Sequence, residues 1–212
     1  MILDSVNHIE TVDNVMLYIV GISVVLLVGI TVTMIYFVFK YHRKKGHEPV
    51  DIHGNVALEA VWIGIPTILV LTMFYYGYVG FEGARNVPDN AYEILAKGRM
   101  WQWEFNYENG KKTDSLYVPV DTPIKVNLES YDVNHALYIP AFRIKEDVIY
   151  GKRNYIYFKP EKTGKYIIEC AEYCGLNHSA MLSKLIVMKK DEFYKFINSP
   201  DKQDSTQTKS SN

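Results

Sequence analysis

The chain has 212 residues, with 23 Lys plus Arg against 24 Asp plus Glu and a formal net charge of −1. That balance offers no basic face of the kind nucleic acid requires, and the length suits one or two small domains. A hydrophobic fraction of 48% and a mean hydropathy of −0.09 resemble those of a soluble protein, but the averages mislead, because the apolar residues fall in two blocks.

The first block, Val15 to Phe39, holds no charged residue and exceeds the roughly 20 residues needed to cross a bilayer. The second, Ala60 to Phe81, is equally free of charge; its Gly64 and Pro66 are tolerable in a membrane helix. A cleaved signal peptide does not fit the first block. Residues 1–14 carry Asp4, Glu10 and Asp13 but no Lys or Arg, whereas a signal needs a basic leading region. The basic residues Lys40, Arg43, Lys44 and Lys45 follow the block instead, which makes that loop cytoplasmic. The expectation is an external segment over 1–14, a helix hairpin over 15–81 with a cytoplasmic loop at about 40–56, and everything after Phe81 outside.

From Glu82 to Ser199 short β-like runs alternate with turn residues. Examples are Tyr92–Leu95, Trp101–Tyr107, Ile124–Leu128, Asn154–Phe158, Lys165–Glu169 and Leu182–Val187. Turn signals sit at Asn109-Gly110, Asp121-Thr122-Pro123 and Thr163-Gly164. Strands at this spacing predict a β-sandwich or small barrel over 82–199. Alternation places Trp101, Trp103, Phe105 and Tyr107 on one strand face, three of them read as core. Asp191 to Asn198 reads as one closing helix. Residues 200–212 are polar without periodicity, the composition of a disordered tail.

The chemistry concentrates in one loop, Cys170-Ala171-Glu172-Tyr173-Cys174-Gly175-Leu176-Asn177-His178-Ser179-Ala180-Met181, which holds both cysteines of the chain. Of the six histidines, only His135 and His178 lie in the predicted outer domain. Thiolates with imidazole suit copper or zinc, and a thioether favours copper. The residues alone leave several readings open. One is a disulfide in an oxidising compartment. Another is a Cys2His2 zinc site. A third is a mononuclear blue-copper site with one thiolate extra. The last is two copper ions bridged by both thiolates and capped by one imidazole each.

The pattern Cys-x-Glu-x-Cys-Gly-x-x-His-x-x-Met closely resembles the CuA loop of subunit II of haem–copper cytochrome c oxidases. Asp132-Val133-Asn134-His135 is similar to that family's Asp-Val-x-His segment. The likeness runs from about residue 15 to 188 and implies a two-helix hairpin followed by a cupredoxin-like Greek-key sandwich. It implies that Cys170 and Cys174 bridge two coppers, with His135 and His178 as terminal ligands. Met181 would be a weak ligand to one copper and the Glu172 carbonyl to the other. The Glu172 side chain would bind magnesium at the boundary with subunit I, as a hard carboxylate suits a hard cation.

Gly98 to Tyr107 resembles the family's aromatic segment, which makes Trp101 the point where electrons arrive from cytochrome c. Glu129, Asp132, Glu146 and Asp147 are candidates for steering a basic cytochrome. Glu59, in a Glu-x-x-Trp setting, resembles the glutamate at the mouth of a proton channel into subunit I. The helix dipole alone also accounts for a carboxylate there.

The chain departs from the family where Tyr150 and Lys152 replace a proline and an arginine, and where Ala136 follows His135 in place of serine. No Cys-x-x-Cys-His motif is present in these 212 residues, and the expectation is a separate electron donor rather than a c-type haem fused here. The resemblance implies a subunit of cytochrome c oxidase, partnered by subunit I and subunit III in the bacterial plasma membrane, with oxygen reduced in subunit I. Two rivals remain: the corresponding subunit of a CuA-containing nitric oxide reductase, and a membrane-anchored copper-binding or copper-delivery protein. Quinol-oxidase subunits keep the fold but lack the ligands.

Overall fold

A computed structural model of the chain describes residues 8–46, 48, 51 and 53–200. Residues 1–7 of the expected external segment, parts of the 40–56 loop and residues 201–212 of the expected tail lie outside the described residues. The chain divides into two compact units, Met1–Gly83 and Ala84–Asn212.

The first unit is built on two helices, α1 (His8–Lys40) and α2 (Val56–Arg85). Both run past the apolar blocks into polar flanks. Asn55 caps α2, its Oδ1 accepting the Leu58 N–H at 3.1 Å, as short polar side chains do at helix starts. Glu59 sits in the first turn, where the dipole favours a carboxylate. Both helices are long and apolar enough to cross a membrane, and their large apolar side chains, such as Leu17 and Val25, face outward. Hydroxyls along them bond their own helix: Ser23 to the Ile19 carbonyl, Thr33 to Gly29 and Thr67 to Ile63, each at 2.7–2.8 Å. The two helices meet where Tyr18 Oη and Thr72 Oγ1 lie 2.7 Å apart and the Tyr18 ring meets Tyr76 edge-on. A Cβ on Gly80 would stand 3.2 Å from Thr11, so the small residue permits close helix approach.

The second unit is a β-sandwich. Its strands are β1 (Tyr92–Arg99), β2 (Gln102–Tyr107), β3 (Lys112–Thr113), β4 (Leu116–Pro119) and β5 (Ile124–Ser130). There follow β6 (His135–Ile139), β7 (Ile144–Val148), β8 (Asn154–Phe158), β9 (Gly164–Cys170) and β10 (Leu182–Met188), closed by α3 (Lys190–Asn198). One sheet has the order β3-β2-β1-β5-β8 and the other β4-β10-β9-β6-β7. The β1–β5 and β4–β10 pairs are parallel, and the remaining pairs are antiparallel. Burial alternates strictly along β5, the pattern of a strand with one face on the core. Ile94, Phe105, Leu128, Leu137, Ile168 and Leu185 fill the space between the sheets. Tyr107 ties the sheets together: its hydroxyl accepts the Tyr117 N–H at 2.7 Å and lies 3.1 Å from the Tyr117 carbonyl. Phe193 of α3 packs fully buried against Tyr92 and Tyr107.

One expectation changes, and strands appear that no run had marked. The run Trp101–Tyr107 does not form one strand. β2 begins at Gln102, because Met100 and Trp101 make the turn out of β1. Trp103, Phe105 and Tyr107 are core residues, whereas Trp101 is only half-buried. β4, β6 and β7 carry no readable alternation, and β7 has charges at Lys145, Glu146 and Asp147. It forms nonetheless because every residue of it pairs with β6.

Candidate metal centre

The site lies where β6 begins and β9 ends. In their antiparallel register Leu137 faces Cys170, which brings His135 and Cys170 to the same edge of the sandwich. The Ala171 N–H donates to the Ala136 carbonyl at 3.0 Å, and the Cys170 N–H to the Met181 carbonyl at 3.2 Å. The loop 171–181 is thus stitched closed at both ends. Inside it, the His178 N–H bonds the Gly175 carbonyl and the Met181 N–H the His178 carbonyl, each at 3.1 Å, forming a short 3-10 turn over His178–Ala180. Gly175 has φ +115, and a Cβ there would lie 3.3 Å from the Trp101 ring. The positive φ favours glycine there, and a side chain would in addition crowd the Trp101 ring.

The loop brings Cys174, His178 and Met181 up beside Cys170, across from His135 of β6, with His178 reaching the cluster through Cys174. The two Sγ atoms are free and 3.7 Å apart. His135 Nδ1 lies 3.9 Å from Cys170 Sγ, and His178 Nδ1 lies 3.5 Å from Cys174 Sγ. Met181 Sδ is 3.8 Å from Cys174 Sγ, and the Glu172 carbonyl is 3.3 Å from Cys170 Sγ. One ligand atom each of His135, Cys170 and Cys174 falls within 4.8 Å of the others. His135, Cys170, Cys174 and Met181 are buried.

The surroundings preset the protonation of these groups. His135 Nε2 lies 2.8 Å from Asp132 Oδ1, which leaves Nδ1 facing the sulfurs. Asp132 also accepts the Met100 N–H at 2.7 Å and the Val133 N–H at 2.6 Å. Burial works against the Asp132 carboxylate, yet these partners hold it below the usual carboxylate range. Burial likewise opposes a charged His135, but Cys170 and Asp132 together raise its pKa. Of the two thiols, Cys170 is buried yet is favoured for ionisation by His135 and by backbone groups of Ala136 and Glu172. Cys174 is pushed the other way, by burial and then by the Cys170 sulfur beside it. The pair thus favours loss of one proton over loss of both, and a bound cation would favour loss of the second.

Trp101 is connected to this cluster, its indole N–H donating to the Cys174 carbonyl at 3.1 Å. Gly98 leaves room beneath: a Cβ would stand 3.2 Å from both His135 and Trp103. The Glu172 side chain is exposed at the loop surface. Glu59 lies in the other unit, in the first turn of α2.

The expected steering residues fare differently. Asp132 is not a solvated surface acid; it orients His135, because the i,i+3 spacing across the strand start folds its carboxylate back onto the ring. Glu146 is paired with Arg85 at 2.8 Å and accepts from Asn154. Asp147 is paired with Lys145 at 3.2 Å. The orienting role of Asp132 was readable as an Asp three residues before a ligand-type His; the room made by Gly98 carried no sequence signal.

The donor set fits a soft metal. Two thiols and two imidazoles with a thioether suit copper, and the pair of sulfurs lies between the two imidazoles.

Two family profiles match the chain. Residues 4–78 match "Cytochrome C oxidase subunit II, transmembrane domain", and residues 111–190 match "Cytochrome C oxidase subunit II, periplasmic domain". The chain is 34% identical to cytochrome c oxidase subunit 2 of Alkalihalophilus pseudofirmus over 85% of its own length, and it spans 56% of that relative. It is 34% identical to haem–copper oxidase subunit 2 of Aeropyrum pernix, covering 81% of this chain and 82% of that one. Among solved structures, the periplasmic domain of subunit II of cytochrome oxidase of Bradyrhizobium japonicum matches with a TM-score of 0.51 at 31% identity. The match covers 53% of this chain and 94% of that one. A chain of a haem–copper terminal oxidase dimer matches with a TM-score of 0.51 at 28% identity, over 62% of this chain and 99% of that one. The helices are therefore those of a membrane protein with an outer C-terminal domain. A sandwich that gathers two cysteines, two histidines and a methionine at one edge, preceded in the chain by such a hairpin and with these relatives, belongs to the subunit II family of haem–copper cytochrome c oxidases.

Proposed function

We propose that this chain is the electron-accepting subunit of a haem–copper cytochrome c oxidase. It takes electrons from cytochrome c at a binuclear CuA centre and passes them to haem in subunit I, where oxygen is reduced to water with proton translocation. One observation carries the reading: two free sulfurs 3.7 Å apart with an imidazole Nδ1 beside each. Cys170 and Cys174 would bridge the two metals, His135 and His178 would be terminal ligands, and Met181 and the Glu172 carbonyl weak ones. Bound there, the copper pair would supply a one-electron redox store shared over both metals.

The chain's own residues do the rest. Asp132 fixes the His135 tautomer. The stitched loop holds the sulfurs in place. Trp101 offers a route from the surface to the Cys174 backbone and is proposed as the point of electron arrival. We propose the Glu172 carboxylate as a magnesium ligand shared with subunit I, and Glu59 as the mouth of a proton channel there. Subunit III and membrane lipid complete the proposed surroundings, in a bacterial plasma membrane. Residues 15–81 form the anchor and 82–199 the copper domain in this reading.

The test is copper stoichiometry and electron paramagnetic resonance on the full chain reconstituted with copper. Two coppers per chain, with hyperfine structure from one electron shared between two copper nuclei, are expected, and Cys174→Ser abolishes that pattern. A single-nucleus pattern, a zinc preference, or unchanged spectra in Cys174→Ser would overturn the assignment.

A further inference from the structure

α1 meets α2 toward its outer end. Thr11 faces Gly80, and Tyr18 meets Thr72 and Tyr76. From Ser23 to Lys40 every residue of α1 except Thr31 is exposed. This inner half carries an open apolar groove of about 700 Å³ that runs from Gly29 to Tyr41. Its floor is made of small residues. Nothing lies within 4 Å of where a Cβ on Gly29 would stand, and the Thr33 hydroxyl is turned into the Gly29 carbonyl at 2.8 Å. Met34, Phe37 and Val38 line it. At about 1.5 Å per residue the groove is about 18 Å long, close to the roughly 15 Å of hydrocarbon in one leaflet.

Cations gather at its mouth. Lys40 Nζ lies 5.3 Å from the ring centroids of both Tyr36 and Tyr41, and the Tyr41 ring packs against Phe37 of the groove. Arg43, Lys44 and Lys45 follow in an exposed 3-10 turn. Two bonds hold that turn: His42 Nδ1 accepts the Lys44 N–H at 3.2 Å, and Gly46, at φ +68, donates its N–H to the Arg43 carbonyl. The acids of this loop, Glu48 and Asp51, both come after Gly46, so the groove opens onto basic residues alone.

We infer that the inner half of α1 binds an anionic phospholipid, with one acyl chain in the Gly29–Tyr41 groove and the phosphate at Lys40 and the Arg43–Lys45 turn. With the C-terminal domain outside, the turn between the helices faces the inner leaflet. Each basic residue at such a surface adds attraction for an anionic headgroup, and each methylene buried along the groove adds to it. The groove stops near the bilayer midplane, where a lipid chain stops; a partner's membrane helix would run on through both leaflets. The copper ligands take no part, so the site stands or falls separately from the electron-accepting reading above.

The experiment titrates the full chain in detergent with phosphatidylglycerol or with phosphatidylcholine of the same acyl chains, bound lipid being counted by native mass spectrometry. Phosphatidylglycerol is expected to bind at least about fivefold more tightly, the effect of one Lys or Arg at a membrane surface. Replacing Arg43, Lys44 and Lys45 together by Gln is expected to remove that preference and leave phosphatidylcholine binding unchanged. Gly29→Leu fills open space and improves helix propensity. It is expected to weaken both lipids at least about fourfold, the effect of one methylene kept from the groove. Gly21→Leu, which also meets open space but lies outside the groove, is expected to change either by less than about twofold. In the assembled oxidase, Gly29→Leu is expected to lose one phosphatidylglycerol per complex with subunit I retained.

Equal binding of the two lipids would overturn the inference, as would an unaltered preference in the triple Gln variant. So would Gly29→Leu and Gly21→Leu behaving alike. Loss of subunit I from the Gly29→Leu oxidase with its lipid count unchanged would make the groove the seat of a partner helix instead. In each case the copper spectrum, and with it electron acceptance, is untouched.

Discussion

Asp132 works on the site without supplying a donor atom of its own. By accepting from His135 Nε2 it leaves the Nδ1 lone pair directed at the sulfurs, and its two backbone N–H partners keep the carboxylate in place. Orienting partners of this kind are worth about ten- to a hundredfold in metal affinity. Asp132→Asn is therefore expected to lower copper affinity by about that factor with the sandwich intact, measured by competition against a chelator. Trp101 makes a separate contribution through its indole N–H. Trp101→Phe is expected to slow reduction by cytochrome c while leaving copper content unchanged; unaltered turnover would refute its role in electron arrival. The donors themselves were legible, since Cys170, Cys174, His178 and Met181 share one loop and His135 is the other outer histidine. The turn that takes Trp101 out of β2 was not legible, because period-two alternation continues through it unbroken.

At the scale of elements, Tyr107 is the clearest structural device. Its buried hydroxyl bonds both the N–H and the carbonyl side of Tyr117, joining β2 of one sheet to β4 of the other. Burial raises its pKa above the ordinary tyrosine value, which keeps the hydroxyl protonated and able to donate. Tyr107→Phe strands a backbone N–H and carbonyl and is expected to cost about 1–2 kcal/mol, read as a lower urea midpoint. Alternating strands such as β5 were legible because one face meets the core. β6 and β7 were not, because their stability comes from each other: β6 is buried at four of five positions, whereas β7 puts charges between its two buried ends. Pairing across a sheet, which no local window contains, decides such strands.

For the whole molecule, the division at Gly83 and Ala84 separates two different solvents. The hairpin turns its apolar side chains outward, and the sandwich turns its own inward. Residues 84–200 expressed alone are expected to fold, stay soluble and bind copper in the same ratio as the full chain, checked by metal analysis and circular dichroism. Aggregation of that fragment would mean that the sandwich needs the helices. The anchor is also self-sufficient in the polar groups it carries into the apolar layer. Ser23, Thr33 and Thr67 each bond a carbonyl of their own helix, and Tyr18 finds Thr72 within the hairpin. None of these hydroxyls depends on another subunit for its partner, so the hairpin meets their hydrogen-bonding demand within itself, where lipid offers no water to do so.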